Sequence, residues 1–211
     1  LCQQKYMAEI RLAFRMVHID NIDHIVKYGF VHKDSPYASP NYVPIGDVTV
    51  IESRVERQYE GVSLSDCIPF YFGPRSPMLY VIQHGFNGVK QYNAQDIVYC
   101  AISLKDIVVS DIDCFFSDGH ALNRMTKFYP KSELGRINDI VRYEDVYTKY
   151  WQGNGPFDDT KRKKEAELLV KDEIPPEYIR GFVVYNTYAK KQLIDKGVSE
   201  DKIVEKKEFY Y

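Results

Sequence analysis

The apolar positions of this chain fall into short runs separated by polar segments that contain proline and glycine. Runs typical of β-strands occupy residues 10–17, 68–73, 96–104 and 181–186, and the closing segment 202–211 is predicted as a further strand. Strands and helices alternate without a regular strand–helix–strand repeat. The pattern therefore favours an α+β fold over a doubly wound α/β sheet.

A first helix is predicted directly after the first strand. Ile22 and Ile25 have the spacing of one helical face, and Gly29 ends the helix, because glycine readily adopts the left-handed conformation at a helix C-terminus. Asp20 or Asn21 would cap the N-terminus of this helix through its side chain.

The remaining segments are assigned by composition and spacing. Residues 32–48 are rich in proline, serine and aspartate and are predicted as a long loop, and loops of that length usually serve a function. A helix is expected at 187–197, with Asn186 or Thr187 as its cap. The basic stretch at 161–174 begins as a helix or a strand.

Length and composition describe one ordinary globular domain spanning residues 1–211. Hydrophobic residues make up 45% of the chain and charged residues 27%, a balance typical of a globular core. The net charge of −2 argues against a protein that coats nucleic acid by neutralising phosphates, but it allows a local basic groove. Aromatic residues, at 14%, can build a core or stack on bases.

The pattern contains no sign of a membrane segment or of an oxidising compartment. It has no apolar run of about 18 residues, and the N-terminus lacks the long apolar core of a signal peptide. The four cysteines show no close pairing. We therefore expect a cytoplasmic protein with reduced thiols and no membrane partner.

Common catalytic and metal-binding motifs are absent. The chain has no phosphate-binding glycine loop, no His-Glu-x-x-His zinc motif and no Gly-x-Ser-x-Gly nucleophile. Its five histidines are scattered, and the spacing of His18 and His24 is poor for shared ligands on one helix. We therefore predict no metal site.

Four features could carry chemistry, and each has a structural alternative. The polar segment 18–21 could bind a ligand or simply cap a helix. Arg54, on the amphipathic segment 50–58, could bind phosphate or lie on the surface. Residues 74–78 could shape a site or form a plain turn. Glu167 could act in catalysis or belong to an ordinary helix. The residues alone leave these alternatives open.

Six segments, in this order along the chain, carry a further signal. They are FRMVHIDNI at 14–22, YVPIG at 42–46 followed by Arg54, IPFYFGPRSPML at 68–79, FFSDGHA at 115–121, KEAELLV at 164–170 and FYY at 209–211. Together they resemble the DarT family of DNA ADP-ribosyltransferase toxins, and the resemblance covers essentially the whole chain. Several motifs in the right order are much more specific than any one of them.

The resemblance implies an ADP-ribosyltransferase-like fold, with a split, mostly antiparallel β core surrounded by helices. It implies transfer of ADP-ribose from NAD to a base in single-stranded DNA, with thymidine expected over guanosine. It also implies a toxin whose partner is a cognate macrodomain antitoxin that removes the modification. Arg75 follows Pro74 at a position where some family members carry an aromatic residue, so this motif does not fix the base.

By the same resemblance, Glu167 and Arg54 are the catalytic residues. Breaking the bond between nicotinamide and ribose builds positive charge on the ribose, and a carboxylate in a dry site stabilises that charge. Glu167 would have this role. Arg54 would bind the NAD diphosphate through its fixed guanidinium geometry. The family also gives this arginine a part in activating the target base, which is physically unusual because arginine resists deprotonation.

The same motifs indicate which residues bind each ligand. NAD is expected to be bound by His18, Ile19, Asp20, Asn21, Gly29, Arg54 and Tyr71. DNA is expected to be bound by Tyr42, Arg75, Met78, His120, Tyr150 and Trp151, with aromatic side chains stacking on bases. The basic run 161–164 could attract the phosphate chain or form an ordinary solvated face.

Two other functions remain open from the sequence. One is an ADP-ribosyltransferase that acts on RNA or protein, and the other is a non-enzymatic module that binds single strands. The presence of Glu167 and Arg54 in their motifs favours an enzyme. Binding of DNA that needs no NAD and releases no nicotinamide would favour the module.

Overall fold

The structure, a computed structural model, describes residues 8–153, 155 and 158–211. Its strands are β1 Leu12–His18, β2 Gln58–Tyr59, β3 Val62–Ser63, β4 Ile68–Tyr71, β5 Ile97–Ser103, β6 Cys114–Ser117, β7 Phe128–Pro130, β8 Glu167–Val170, β9 Ile179–Val184 and β10 Ile203–Glu205. Its helices are α1 Ile22–Tyr28, α2 Val48–Ser53, α3 Pro77–His84, α4 Leu104–Val109, α5 Ile137–Ile140, α6 Tyr143–Tyr147, α7 Thr160–Lys164 and α8 Thr187–Asp195.

Most of the strands form one large sheet. Its order is β10-β9-β5-β1-β4-β8-β6-β7, while β2 and β3 form a separate hairpin. Neighbouring strands of the large sheet are antiparallel except for β9 and β10, which are parallel. The prediction of an α+β fold with a mostly antiparallel core is confirmed.

The large sheet is split between β1 and β4. Strand β1 pairs with β5 along seven residues, but it pairs with β4 only at Phe14 and Tyr71. Tyr71 is paired on its other side with Glu167 of β8. The two halves of the sheet therefore diverge from one point, and Tyr71 and Glu167 lie next to it.

Strands β5 and β8 are almost completely buried. Residues 97–102 of β5 are all buried, and so are the four residues of β8. Strands buried in this way normally carry apolar side chains at every position. Glu167 is the exception, because it places a carboxylate at the start of a fully buried strand. The fold therefore requires a partner for this side chain.

Most predicted elements are present with boundaries shifted by a few residues. The four apolar runs correspond to β1, β4, β5 and β9, and the two predicted helices correspond to α1 and α8. Asn186 caps α8, because its side chain accepts a hydrogen bond of 2.9 Å from the Ala189 N–H. The basic stretch at 161–174 contains both structures that were considered, α7 followed by β8. Within the described ranges, no helix combines the length and the apolar character needed to cross a membrane.

The prediction of a strand throughout 202–211 is wrong. Only Ile203–Glu205 pairs with β9, and Lys207–Phe209 turns back as a 3-10 helix. The reason is the burial of Tyr210, whose hydroxyl donates to the carbonyls of Ile97 and Val183 at 3.0 and 2.9 Å. These hydrogen bonds tie the end of the chain to β5 and β9.

Gly29 provides a test of how tightly α1 is joined to the strand region. Its φ is +75°, and an added Cβ would lie 1.9 Å from the carbonyl oxygen of Ile174. Gly29→Ala is therefore expected to lower the free energy of unfolding by more than about 2 kcal/mol in urea denaturation. Gly197→Ala is the matched control, since Gly197 also follows a helix at φ +86° but has open space around it. We expect a loss of about 1 kcal/mol there, and equal losses would contradict the steric explanation.

Candidate active site

Arg54 and Glu167 form a buried ion pair. Nη2 of Arg54 lies 2.6 Å from Oε2 of Glu167, although 113 residues separate them in the sequence. The two side chains are 9% and 0% exposed. Burial alone would lower the pKa of Arg54, but the charge and hydrogen bond of Glu167 raise this pKa above its ordinary value. The guanidinium therefore stays charged.

A short capped helix brings Arg54 to the sheet. The Asp47 side chain accepts a hydrogen bond of 2.9 Å from the Thr49 N–H and so begins α2. Arg54 follows the last residue of α2 in a 3-10 turn. Arg54 is buried there, while its neighbour Val55 is 60% exposed. The turn therefore directs the guanidinium inward.

The segment 117–121 holds Glu167 from the other side. Oε1 of Glu167 accepts a hydrogen bond of 3.2 Å from the Ala121 N–H, and the Glu167 N–H donates to the Ser117 hydroxyl at 3.2 Å. Ser117 in turn donates to the Gly119 carbonyl at 2.7 Å. Both carboxylate oxygens thus have a donor, which fixes the orientation of this side chain.

Tyr71 lies across from Glu167 on β4, where the sheet splits. Burial raises the pKa of its phenol, and the nearby charges of Glu167 and Glu165 raise it further. Tyr71 therefore stays protonated and can donate a hydrogen bond to a ligand. Its position beside the ion pair is compatible with the predicted contact to NAD.

One cleft, which we name the Arg54 cleft, opens beside this ion pair and has a volume of about 730 Å³. Its lining includes Arg15, Gly29, Tyr42, Arg54, Pro69 and Lys171. Nη1 of Arg54 is buried and has no hydrogen-bond partner among the described residues. A buried donor of this kind is costly to leave unpaired, so the site favours an anionic ligand.

A second cleft of about 640 Å³, the Glu165 cleft, is lined by residues that are close to Ala121 and Glu167 in the chain. Its lining includes Met78, His120, Asn123, Lys161, Arg162 and Glu165. Burial lowers the pKa of His120 below its ordinary value, and the charges of Arg54 and Lys161 act in the same direction. Met78 and His120, both predicted to bind DNA, thus line one cleft.

Glu165 is a residue of this cleft that the sequence analysis missed. It is only 7% exposed, and burial raises the pKa of its carboxyl to about 8. No described residue donates a hydrogen bond to its carboxylate. The signal that could have indicated it is the spacing Glu165-Ala166-Glu167, which brings a second carboxylate close to the catalytic candidate.

Within the segment 18–21, the polar side chains of His18 and Asn21 make contacts inside the protein. His18 accepts a hydrogen bond of 3.2 Å from the Asp20 N–H and packs against the Tyr92 ring. Asn21 is buried and makes no side-chain cap for α1, contrary to the capping prediction. Its amide instead donates to the Val43 carbonyl and accepts from the Val43 N–H, both at 2.8 Å. Asn21 therefore fixes the long loop against the end of β1.

Ile19 and Asp20 differ in their environment. Ile19 is buried in the main core, whereas the Asp20 side chain is 62% exposed. Of the residues predicted to bind NAD, the structure therefore brings Gly29 and Arg54 together in the Arg54 cleft, with Tyr71 next to the ion pair.

The residues predicted to bind DNA do not all lie together. Tyr42 lines the Arg54 cleft and not the Glu165 cleft. Arg75 donates to the Tyr210 carbonyl and its guanidinium lies 4.2 Å from the Tyr211 ring centroid, so it holds the C-terminal residues. Trp151 donates to the Tyr211 hydroxyl at 2.6 Å, and Tyr150 is 86% exposed.

The basic run 161–164 does not form a continuous positive face. Arg162 is paired with Asp118 at 2.7 Å and with Asp159 at 2.6 Å. Lys164 is buried and donates to the carbonyls of Pro74 and Val146. Lys161 lines the Glu165 cleft and its ammonium lies 5.7 Å from the Trp151 ring centroid. In the described part of the chain, no group of three or more His, Cys, Asp or Glu side chains could hold a metal ion.

Comparison with known proteins identifies the family to which this chain belongs. A family model described as ssDNA thymidine ADP-ribosyltransferase, DarT, matches residues 14–211. The chain is 30% identical over 188 residues to a DNA ADP-ribosyl transferase of Escherichia coli O127:H6, with 86% of this chain and 84% of that protein covered. It is 30% identical over 176 residues to a DNA ADP-ribosyl transferase–DNA ADP-ribosyl glycohydrolase fusion protein of Thermosipho africanus, with 82% of this chain and 42% of the fusion covered.

Solved structures agree with this match. The structure of Thermus sp. 2.9 DarT in complex with NAD⁺ superposes with a TM-score of 0.77 at 25% identity and covers 97% of this chain and 100% of that one. The same protein in complex with ADP-ribosylated ssDNA gives a TM-score of 0.81 at 24% identity, with 97% and 98% covered. Because the family model matches from within β1 to Tyr211, the chain belongs to the DarT family of single-stranded DNA thymidine ADP-ribosyltransferases.

Proposed function

We propose that this chain binds NAD⁺ in the Arg54 cleft and single-stranded DNA in the Glu165 cleft, and transfers ADP-ribose to thymidine at Glu167. The observation that carries this proposal is the fully buried Glu167 carboxylate, which is held by Arg54 and by the Ala121 N–H. Arg54 lines one cleft, and His120 and Glu165, which are close to Ala121 and Glu167 in the chain, line the other. Residues from β1 to β8 contribute to this arrangement, so we treat residues 1–211 as one domain.

Glu167 performs the chemistry at the ribose. Loss of nicotinamide leaves positive charge on ribose C1 and its ring oxygen, and a fixed carboxylate in a dry site stabilises that charge without reorganisation. Because both oxygens of Glu167 are already oriented by donors, the carboxylate is preorganised for this role. The mechanism requires no metal ion, since the charged groups of the chain itself face the charges that develop.

Arg54 has two tasks in this proposal. Nη2 holds Glu167, while the unpartnered Nη1 is free to bind an oxygen of the NAD⁺ diphosphate. Tyr42, which was first expected at the DNA, is better assigned to NAD⁺, because it lines the Arg54 cleft. The Thermus protein solved with NAD⁺ supports NAD⁺ as the substrate.

The Glu165 cleft is suited to a single strand. Met78 and His120 line it, Lys161 supplies positive charge, and the exposed Tyr150 offers a ring on which a base can stack. Arg75 is left out of this interface, because its Nη1 donates to the Tyr210 carbonyl and its guanidinium packs on the Tyr211 ring. The Thermus protein solved with ADP-ribosylated ssDNA supports this choice of substrate.

We further propose that the chain is a toxin whose partner is a macrodomain antitoxin that removes the ADP-ribose. The support is the Thermosipho relative, in which a transferase and a glycohydrolase form one fusion protein. Cys67, Cys100 and Cys114 are buried free thiols, which fits a reducing compartment such as the cytoplasm.

Glu167→Gln tests the catalytic assignment. The amide keeps the shape and can still accept from Ala121, but it removes the negative charge from the ribose site. We expect transfer from labelled NAD⁺ to thymidine oligonucleotides to fall by at least about 10²- to 10³-fold, with the far-ultraviolet circular dichroism unchanged. Glu177→Gln, at an exposed position outside both clefts, is the control. Near-normal transfer by the Glu167 variant would refute the assignment.

Arg54→Lys tests the second assignment. Lysine keeps one positive charge beside Glu167, but it cannot hold the carboxylate and the diphosphate at once with a forked group. Calorimetry is expected to show NAD⁺ affinity reduced by about tenfold or more, equivalent to about 1.4 kcal/mol, together with reduced transfer. Unchanged affinity with unchanged turnover would mean that Arg54 serves only to neutralise Glu167.

The form of the DNA is tested with one labelled oligonucleotide, alone and annealed to its complement. A duplex hides the reactive base edge, and exposing it costs a few kcal/mol. We therefore expect the complement to protect the oligonucleotide from labelling. RNA of the same sequence is measured alongside. Equal labelling of single strand and duplex would contradict the proposal, and labelling of RNA alone would favour an RNA-modifying enzyme.

A further inference from the structure

Three aromatic rings form a surface at the C-terminal end of α3. His84 and Phe86 are exposed, and Tyr80 is half-buried. The ring centroids of Tyr80 and His84 are 4.1 Å apart. The rings of His84 and Phe86 are parallel within 2°, and their centroids are 5.6 Å apart. We name these three side chains the α3 platform. None of the three lines either cleft.

The local sequence presents these rings to solvent. Leu79 and Ile82 are buried, so the other side of α3 faces the core. Gly85 ends the helix with a left-handed φ of +68°. The turn at Gly85 brings Phe86 back beside His84, and Phe86 stays 47% exposed. A single exposed phenylalanine is ordinary, but a run of contacting rings on one surface calls for a ligand.

The platform is held in place from inside the protein. Nδ1 of His84 donates a hydrogen bond of 2.8 Å to the Tyr80 carbonyl. The Tyr80 ring meets the rings of Trp151 and Tyr211 edge to face, with centroids 5.6 and 5.1 Å apart. Because these side chains are already ordered, a ligand that stacks on them loses little additional conformational entropy.

The platform is continuous with the Glu165 cleft. Val81 and Asn87 line that cleft. Val81 lies three residues before His84 on α3, and residues at this spacing are neighbours on a helix surface. Asn87 directly follows Phe86 in the chain. A strand that leaves the cleft past Val81 or Asn87 therefore reaches the platform.

A positive charge lies at the junction of the two surfaces. Lys161 lines the Glu165 cleft, and its ammonium is 5.7 Å from the centroid of the Trp151 ring. The Trp151 ring in turn contacts Tyr80 of the platform. A cation beside a row of rings suits a single nucleic acid strand, because the cation attracts the phosphate chain and the rings stack on bases.

We propose that the α3 platform stacks on bases of the single strand outside the Glu165 cleft, and so binds nucleotides that flank the modified thymidine. This inference rests on the proposed function of the Glu165 cleft. The rings offer room for about two nucleotides at roughly 3.4 Å per nucleotide. Every base has a π-face, so the platform would strengthen binding without reading the sequence.

The platform is expected to act on KM and not on kcat. Its rings hold the strand equally before and during transfer, and uniform binding of this kind lowers KM without changing the chemical step. The effect is also expected on one side of the thymidine, because α3 borders one end of the cleft.

The test begins with a strand that the wild-type chain modifies, selected from a pool in which randomised positions flank a thymidine. The strand is remade with one abasic nucleotide at each position outward from the thymidine, which removes a base but keeps its phosphate. For the wild-type chain, we expect KM to rise about 5- to 100-fold at one or two adjacent positions on one side, with kcat unchanged.

Two variants connect these positions to the platform. Phe86→Leu keeps an apolar side chain but removes the flat ring, and His84→Ala removes the second ring. Each is expected to raise KM for the intact strand by about 5- to 100-fold, and to lose the sensitivity to an abasic nucleotide at the same positions. Phe86→Trp keeps a ring and should restore KM to within about threefold of the wild-type value.

Tyr188→Ala is the matched control. Tyr188 is an aromatic residue of α8 that is 56% exposed and lines neither cleft. Its variant should keep the wild-type KM and the wild-type pattern of abasic sensitivity. The melting temperature of each variant, and a kcat within about twofold of wild type, verify that the active site is intact.

Several results would overturn the assignment. These are a KM within about twofold of wild type in both Phe86→Leu and His84→Ala, an abasic pattern that these variants leave unchanged, or an equal rise of KM in Tyr188→Ala. A variant that lowers the mass of the chain in sedimentation velocity without changing KM would make the platform an interface between copies, and the proposal would fail.

The same experiment separates this inference from the function on which it rests. If the wild-type chain modifies no strand in the pool, the proposed function fails. If the wild type modifies strands and only the results on the platform disagree, the proposed function stands and the assignment of the α3 platform fails.

Discussion

A carboxylate that is completely removed from water at the centre of a β-sheet can stay ionised only if charge and hydrogen bonds reach it. Glu167 meets this condition through Arg54 and the Ala121 N–H. The gain from such a pair is largely offset by the desolvation of both charges, and apolar residues of similar volume would often serve stability as well. Removing one partner alone would cost about 3–5 kcal/mol. The pair is therefore better explained by chemistry than by stability.

Much of the surrounding structure serves to place these two side chains. Asn21 fixes the long loop at Val43, and the cap at Asp47 begins the helix that leads to Arg54. The split of the sheet beside Tyr71 leaves room next to Glu167 for a ligand. Two carboxylates two residues apart then have opposite environments, because Glu167 is paired and Glu165 is not. Such a difference in environment suits the two carboxylates to different roles.

Local sequence patterns predicted the elements well, because they depend on neighbours in the chain. The stripe of Ile22 and Ile25 and the buried run in β5 are examples. The end of the chain was mispredicted, since the position of Tyr210 is decided by carbonyls on β5 and β9 that are distant in sequence. For the same reason no periodicity could reveal the contact between Arg54 and Glu167, and only the ordered resemblance to a family pointed to both residues.

The individual ligand contacts were harder to predict, because a residue type is compatible with several roles. Arg75 and Lys164 look like phosphate-binding residues in the sequence, yet the fold uses both to satisfy backbone carbonyls. The sequence did not distinguish Glu165 from a solvated glutamate, because it lies in a charged run. Only its burial in the cleft makes the distinction.

The most direct test of the central claim is a crystal structure of the Glu167→Gln chain with NAD⁺ and a short thymidine-containing strand bound together. We predict the diphosphate at Nη1 of Arg54, ribose C1 against residue 167, and the thymine ring in the Glu165 cleft. A thymine bound in the Arg54 cleft, or NAD⁺ bound away from Arg54, would contradict the claim that the two clefts deliver their substrates to this ion pair.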